Sequence, residues 1–373
     1  MSRPTRRALL TTGVAAGLSM PALARSADAQ TAKAGDAPTT VSWTLHRPFA
    51  RSRDAISDAL ADMATSVATL TNGAFKITIA EADEAEQPQL LADVGAGKAD
   101  AVLVEPARAF GENTVGHLLG GVPFGLNARL HRAWLIDRRG LQLINAALGA
   151  DGLLALPCGA LGAHMGGWFR QEVTSAAGFK DRKIAIDGLG AAVLQRLGAK
   201  PVTLGPDAAR RALQTGEIDG VVWGTPYDDE SLRLYQNASV LHYPGWWNGA
   251  GQLALMVGAK KHAALADPFK LALSLATAEA DRAILARYDA QNPSAVRRAV
   301  ASGVDLQPYN EAMLDTAFTA AEAEMTARAE ASPQVKELLA SLRRMRRDGY
   351  LGQQLSETTF DTYMMIQQRK QTL

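Results

Sequence analysis

Gly97-Lys98-Ala99-Asp100-Ala101-Val102-Leu103-Val104 and Gly216-Glu217-Ile218-Asp219-Gly220-Val221-Val222-Trp223 are two versions of one eight-residue phrase. Each begins with a glycine able to take the left-handed cap that ends a helix, passes a turn acid, and runs into an apolar stretch of the kind that forms a buried strand. Each is followed by a loop with a proline, Pro106 or Pro226. Eight residues can agree by chance, but the context agrees as well. The repetition predicts two similar α/β halves. Open α/β sheets bind ligands in the crevice beyond the carboxyl ends of their strands. That places Glu105 and Arg108 on one wall of a cleft and Trp223 and Tyr227 on the other.

The surrounding sequence supports this reading. Val41–Leu45 reads as a strand, Ser52–Leu70 as an amphipathic helix stopped by Asn72-Gly73, and Phe75–Ala80 as a second strand. Pro88–Val94 is a short helix and Asp100–Val104 a third strand. Strands separated by helices predict parallel sheets. From Pro268 onward the pattern is helical, over Pro268–Ala290, Glu311–Ala331 and Val335–Arg347, which reads as helices bracing the two lobes.

Composition excludes several classes. The chain has 373 residues, 47% hydrophobic, enough for one or two sizeable cores. Cys158 is the single cysteine, so no disulfide scaffold exists; following Pro157 in an apolar run, it reads as a small core residue. The first 29 residues carry four arginines and one acid, leaving 35 basic and 37 acidic groups in the remainder. That near-neutral balance, without a basic stripe, gives no electrostatic footprint for nucleic acid. Thr5-Arg6-Arg7-Ala8-Leu9-Leu10, a short apolar run to Leu23, and small residues suited to cleavage after Ala24 or Ala29 read as a twin-arginine export signal over 1–29. An ordinary secretory signal with two chance arginines is the alternative; both routes lead to the periplasm. Residues 30–40 are a polar leader.

Enzyme motifs are lacking. The six histidines, at 46, 117, 131, 164, 242 and 262, form no i, i+4 pair, and no zinc spacing, P-loop, G-x-S-x-G or G-x-G-x-x-G is present. Gly188-Leu189-Gly190 follows the strand Lys183–Ile186 and opens a helix, which fits a tight turn better than an anion site.

Several further segments carry a resemblance. They are Val122-Pro123-Phe124-Gly125-Leu126-Asn127-Ala128-Arg129, Met165-Gly166-Gly167-Trp168-Phe169-Arg170, Gly188-Leu189-Gly190 with Val193–Ala199, Gly216–Asp219, Pro226-Tyr227-Asp228-Asp229-Glu230 and Tyr243-Pro244-Gly245-Trp246-Trp247. In this order they resemble the solute-binding receptors of tripartite ATP-independent periplasmic (TRAP) transporters, closest to the subgroup that binds 2-oxo acids. The match covers essentially all of 41–350. It implies a hinged, two-lobed periplasmic binding protein fold of type II-like architecture, with long bracing helices and a C-terminal helix. It also implies a non-enzymatic receptor that delivers a small organic ligand to large and small integral-membrane subunits. The lobes would span 41–160 plus about 246–300, and 161–245 plus about 301–340, followed by a C-terminal extension over 341–373.

The sequence departs from these relatives where they bind ligand. They carry an arginine in the pattern K-I-R-V-P-G-L-G; here Lys183-Ile184-Ala185-Ile186-Asp187 puts Ala185 in its place. In the 2-oxo-acid subgroup a glutamine, a tryptophan carbonyl and a glutamate hold a cation. Those side-chain positions fall on His164 and Asn248, with Trp223 retained and Val222 where an acid is usual. An unpaired carboxylate in a closed cleft costs several kcal/mol. Without the arginine and the acids, tight carboxylate binding in the same pose, and the cation itself, are not expected. Either another cation has taken over, Arg108 first and Arg47, Arg51 or Arg170 after it, or the ligand is neutral or more apolar. In the second case Trp168, Trp223, Trp246 and Trp247 would hold it, with His164, Asn248 and Gln252 as polar contacts.

Plainer readings stand beside these. Arg108 pairs with Glu105 or Glu112 on the surface, Tyr227 caps its lobe, at least one of Trp168, Trp246 and Trp247 packs the lobes, and Asn127 and Arg129 are turn residues. A receptor that has lost transport ligands and serves as a sensor or accessory factor is the rival function. An exported enzyme using His164 with Glu105 or Asp187 is the remote one. In the last stretch Arg343, Arg344, Arg346 and Arg347 cluster at a helix end, and Phe360, Tyr363, Met364 and Ile366 form an apolar stripe. That stripe seeks a partner surface, by exchange with a second copy in a homodimer or by docking on its own lobe.

Overall fold

The computed structural model describes residues 40–49 and 54–372. The export signal, most of the leader and Arg51 lie outside the described residues. The strands fall into two sheets. The first contains β1 (Val41–Arg47), β2 (Phe75–Glu81), β3 (Ala101–Val104), β4 (Leu153–Ala160) and β10 (Gln252–Gly258), in the order β2-β1-β3-β10-β4. The second contains β5 (Gly167–Phe169), β6 (Lys183–Ala185), β7 (Lys200–Val202), β8 (Gly220–Val221), β9 (Val240–Tyr243) and β11 (Asp305–Pro308), in the order β11-β9-β5-β8-β6-β7.

Six helices connect or cover the first sheet: α1 (Asp54–Leu70), α2 (Gln87–Gly95), α3 (Pro106–Ala109), α4 (Thr114–Gly120), α5 (Ala128–Asp137) and α6 (Gly140–Leu148). The second sheet carries α7 (Gly188–Arg196), α8 (Pro206–Thr215) and α9 (Pro226–Ser231). The chain ends with α10 (Ala259–Ala263), α11 (Asp267–Ala301), α12 (Glu311–Ala331), α13 (Pro333–Gln353) and α14 (Thr359–Thr372). Among the described residues no helix is long and apolar enough to cross a membrane.

The paired phrase does in the fold what its pattern suggests. In β3, Ala101 and Leu103 face the core under α1 and α11, while Val102 and Val104 face the core under α4, α6 and α13. Around β8, Val221 and Trp223 pack against α8, whereas Val222 packs with α7 and α12 residues. Covering on both faces is why these strands are apolar at every position rather than alternately.

The expectation of purely parallel sheets needs correction. β1 pairs parallel with β2 and β3, but β10 runs antiparallel to both β3 and β4. In the second sheet β5 is antiparallel to β8 and β9, while the other pairs are parallel. Both exceptions enter from the other sheet: β5 directly follows β4, and β10 directly follows β9. A parallel neighbour needs a return crossover, usually helical. A strand arriving from the facing lobe has none, so a helix–strand alternation does not reveal its direction.

Those two crossings lie side by side. Leu161 N–H donates to the Gly251 carbonyl at 2.9 Å and His164 N–H to the Asn248 carbonyl at 3.2 Å. Gly245 is required by this pairing, since a Cβ there would sit 2.0 Å from the His164 carbonyl oxygen. The bracing helices are longer than their periodicity suggests. α11 continues to Ala301 through Pro293, forfeiting one backbone hydrogen bond while its flanks stay packed. α13 starts at Pro333 under a Ser332 cap that accepts from Val335 N–H.

Candidate functional site

The carboxyl end of β3, the β6–α7 turn and the two crossings converge on a cavity of about 40 Å³ between the sheets. Glu105, Arg108, His164, Trp223, Trp247 and Asn248 line it, all anticipated from the sequence, together with His117, Ile186 and Asp187. Outside lies an open groove of about 680 Å³ that shares Ala107, Arg108, His117, Ile186 and Asp187 with the cavity. These shared residues form the partition between the two spaces.

Arg108 is the centre of the partition. It leaves α3 with its side chain almost buried, and its Nη2 is 3.0 Å from Asp187 Oδ2 across the cleft. Nη1 stands 4.0 Å from Glu84 Oε2, and the guanidinium carbon lies 4.1 Å from the centre of the Trp223 ring. Its ion pairs are therefore with Asp187 and Glu84, and Glu105 is itself buried in the cavity wall rather than on the surface. A guanidinium is planar and weakly hydrated, so it can stack and form an ion pair at once in a desolvated place. Asp187 precedes α7, and burial holds its carboxyl above the ordinary range, against the opposing pull of Arg108 and a hydrogen bond with Thr203. Gly188, at φ +66°, lets the turn approach within contact of Ala107. That close approach seats α7 on α3.

Asn248 is a bracket in the crossing. Its Oδ1 accepts from Ala250 and Gly251 N–H at 3.0 and 2.9 Å, and its Nδ2 reaches the Gly120 carbonyl at 3.3 Å. Trp247 donates from Nε1 to the Met165 carbonyl at 3.0 Å, tying one crossing to the other. Trp246 stacks on Phe124 at 5.3 Å and packs in the second lobe's core.

The other anticipated residues lie elsewhere. Trp168 is buried in β5 and donates to Asp229 Oδ2 at 2.8 Å. Tyr227 bonds to Asp54 and sets its ring edge-on to Tyr288, and burial, reinforced by that bond, pushes its hydroxyl up to about 12. Gln252 donates to the Gly159 carbonyl at 2.7 Å and to Asp281 Oδ1 at 2.8 Å, inside the first lobe. Ala185 faces the α8 core, and the two residues after it, Ile186 and Asp187, reach the cavity. Arg47 is bound by Ser57 and Glu81, and Arg170 is exposed. Asn127 caps α5, accepting from Leu130 N–H at 2.9 Å. Asp187 was visible in the sequence as the residue before a glycine opening a helix at a strand's carboxyl end; His117 had no such signal.

Two lobes joined by paired crossings around a small polar cavity define a ligand-capturing protein of the binding-protein class. The chain belongs to the DctP family, bacterial extracellular solute-binding proteins of family 7, whose model matches residues 48–331. It is similar to a monocarboxylate 2-oxoacid-binding periplasmic protein of Nostoc sp., with 36% identity over 256 residues, 68% of this chain and 70% of that one. A TRAP transporter solute-binding protein from Bordetella bronchiseptica superposes with a TM-score of 0.84 at 29% identity, covering 89% of this chain and 99% of that one. That structure is a mixed-occupancy dimer with copurified calcium and picolinate in one site and the other site apo. A TRAP protein from Colwellia psychrerythraea with bound calcium and pyruvate shares the fold, with a TM-score of 0.82 at 23% identity over 87% of this chain and 99% of that one. The protein is thus a two-lobed TRAP-type solute receptor, and the enzyme and accessory-factor readings are not favoured.

Proposed function

We propose that this receptor captures a small organic ligand in the cavity bounded by Arg108, Asp187, His164, Trp223, Trp247 and Asn248, and presents the closed form to the membrane subunits of a TRAP transporter. The observation that carries the reading is the convergence of both lobes and both crossings on this one space, with charged and aromatic side chains turned into it. Apolar walls with a few placed polar groups suit a small solute. A ligand that touches both lobes stabilises the closed arrangement by its differential affinity for it. Thermal unfolding against a library of small metabolites tests this: one chemical class should raise the midpoint, and the Arg108→Ala variant should lose that response while Arg170→Ala keeps it. A flat response across the library contradicts the reading.

The receptor works without a resident cation in this reading. Among the described residues no group of three or more His, Cys, Asp or Glu is arranged to hold a metal. The Asn248 side-chain oxygen already accepts from two backbone N–H groups. Both observations support a site that works without the cation found in the Bordetella and Colwellia proteins.

Export to the periplasm through the twin-arginine signal in residues 1–29 is supported by Arg6-Arg7 and by the extracellular character of the family. Replacing both arginines by lysine should retain the precursor in the cytoplasm. A homodimer through α14 is supported by its apolar side chains: Phe360 is 62% and Tyr363 59% exposed.

A further inference from the structure

Arg108 belongs to the first lobe and Asp187 to the second, and both border the small cavity and the open groove outside it. The two side chains are 9% and 12% exposed, and Nη2 of the arginine is 3.0 Å from Oδ2 of the aspartate. A planar guanidinium pairs best with a carboxylate through two parallel N–H···O contacts along one edge. Nε–H lies on the same edge as Nη2, is buried, and has no hydrogen-bond partner. Asp187 thus fills half of a fork that an untethered carboxylate can fill completely. The Trp223 ring, 4.1 Å from the guanidinium carbon, covers one face and leaves this edge for an anion.

Tethering explains the half-made pair. Asp187 precedes α7, and at Gly188 the chain packs so closely on α3 that an added Cβ would stand 3.0 Å from the Ala107 side chain. The carboxylate therefore cannot slide along the guanidinium edge without moving the lobe. The pair is also weakly held, since burial keeps the Asp187 carboxyl above its ordinary range in spite of Arg108. Desolvation can outweigh attraction in a buried ion pair, and such a pair yields to a better-matched anion. Asp187 has another place to go. Thr203 hydrogen-bonds to it from the same lobe, and both residues border the open groove of about 680 Å³, where water can solvate the charge.

We propose that Asp187 is an internal stand-in for a ligand carboxylate: it holds Arg108 when the receptor is empty, and a small carboxylate displaces it by taking both Nε–H and Nη2. This deepens the receptor reading and rests on it. Asp187 is then a selecting residue, which a ligand must outcompete, rather than a ligand contact. The same pair lets the two lobes meet without a guest, because it bridges them by itself.

Calorimetry with acetate and pyruvate, and with acetamide and pyruvamide as their uncharged counterparts, tests this on the purified protein and its variants. We expect Asp187→Asn to bind at least one of the two acids about tenfold or more tightly than the wild type does, because the competing anion is gone. The amides should bind as they do to the wild type. Asp187→Ala repeats the comparison without an amide side chain beside Arg108. Adding Arg108→Met to Asp187→Asn should abolish acid binding; the double variant removes both members of the pair, so Asp187 is not left without its cation. Equal or weaker binding of both acids in the two Asp187 variants overturns the proposal, and so does acid binding that survives Arg108→Met. Silence of all four compounds with every variant overturns it as well, and the metabolite-library response then decides separately whether the receptor reading falls with it.

Discussion

The Arg108 guanidinium lies 3.0 Å from the Asp187 carboxylate and 4.1 Å from the Trp223 ring centre, so one side chain of the first lobe is clamped by two from the second. Such a pair couples lobe closure to charge. Arg108→Met leaves Asp187 buried without the cation 3.0 Å from it, which costs about 3–5 kcal/mol for a pair of this burial. Thermal unfolding should show a large loss for Arg108→Met and a smaller one for Asp187→Asn. Equal and negligible losses would show that the clamp adds nothing to stability.

Gly245 holds the crossings together by having no side chain. In Gly245→Ala the added methyl meets the His164 backbone oxygen at 2.0 Å, so a backbone must move rather than a flexible side chain. The expected loss is about 1–3 kcal/mol in stability, with weaker ligand response because His164 and Asn248 belong to the moved segments. A normal melting curve and an unchanged response contradict the paired-crossing hinge.

Acid should unfold this protein earlier than its carboxylates alone would require. His131 is wholly buried with Nε2 on the Leu119 carbonyl, and His242 accepts from Val173 N–H through Nε2; burial lowers both rings to about 4. The unfolded chain takes up these protons near pH 6.5 and the folded one does not until about 4, so stability is full above 6.5 and falls as pH drops through that window. Between pH 6.5 and 5 the loss is up to about 2 kcal/mol per ring. Melting midpoints at pH 7 and 5 check it, and His131→Asn should flatten the slope. A midpoint independent of pH over that range is the contrary result.

The C-terminal helix makes a separable prediction. Phe360→Glu with Tyr363→Glu should leave the melting midpoint unchanged, since both side chains are exposed, and convert a dimer into a monomer by light scattering. A wild-type monomer at all concentrations removes the dimer proposal.

How much was legible beforehand follows from locality. The paired glycine–acid–strand phrases revealed the two lobes because a buried strand and its helix cap are local chemistry. Cys158 is legible for the same reason, a small apolar residue in an apolar run, and Asn127 reads as a turn residue where the fold uses it to cap α5. The directions of β5 and β10 were not legible, since each is set by a crossing from the other sheet. Within the site, Glu105, Arg108 and Trp223 followed from their place at strand ends. Trp168 and Gln252 did not, because their partners Asp229 and Asp281 lie far along the chain. Nothing local distinguished His117 from the other histidines, and the Arg108–Asp187 pair exists only after two lobes meet.

The central claim is closure of two lobes on a small solute, and the distance between the lobes in solution measures it most directly. Gln89 at the start of α2 and Asp207 at the start of α8 are both exposed on opposite lobes, and Cys158, the lone native thiol, is buried. Cysteines at Gln89 and Asp207 therefore take a fluorophore pair selectively. Single-molecule energy transfer should show two populations without ligand and a shift to the shorter distance as a metabolite that raises the melting midpoint is added. A single distance that no ligand changes would contradict the account.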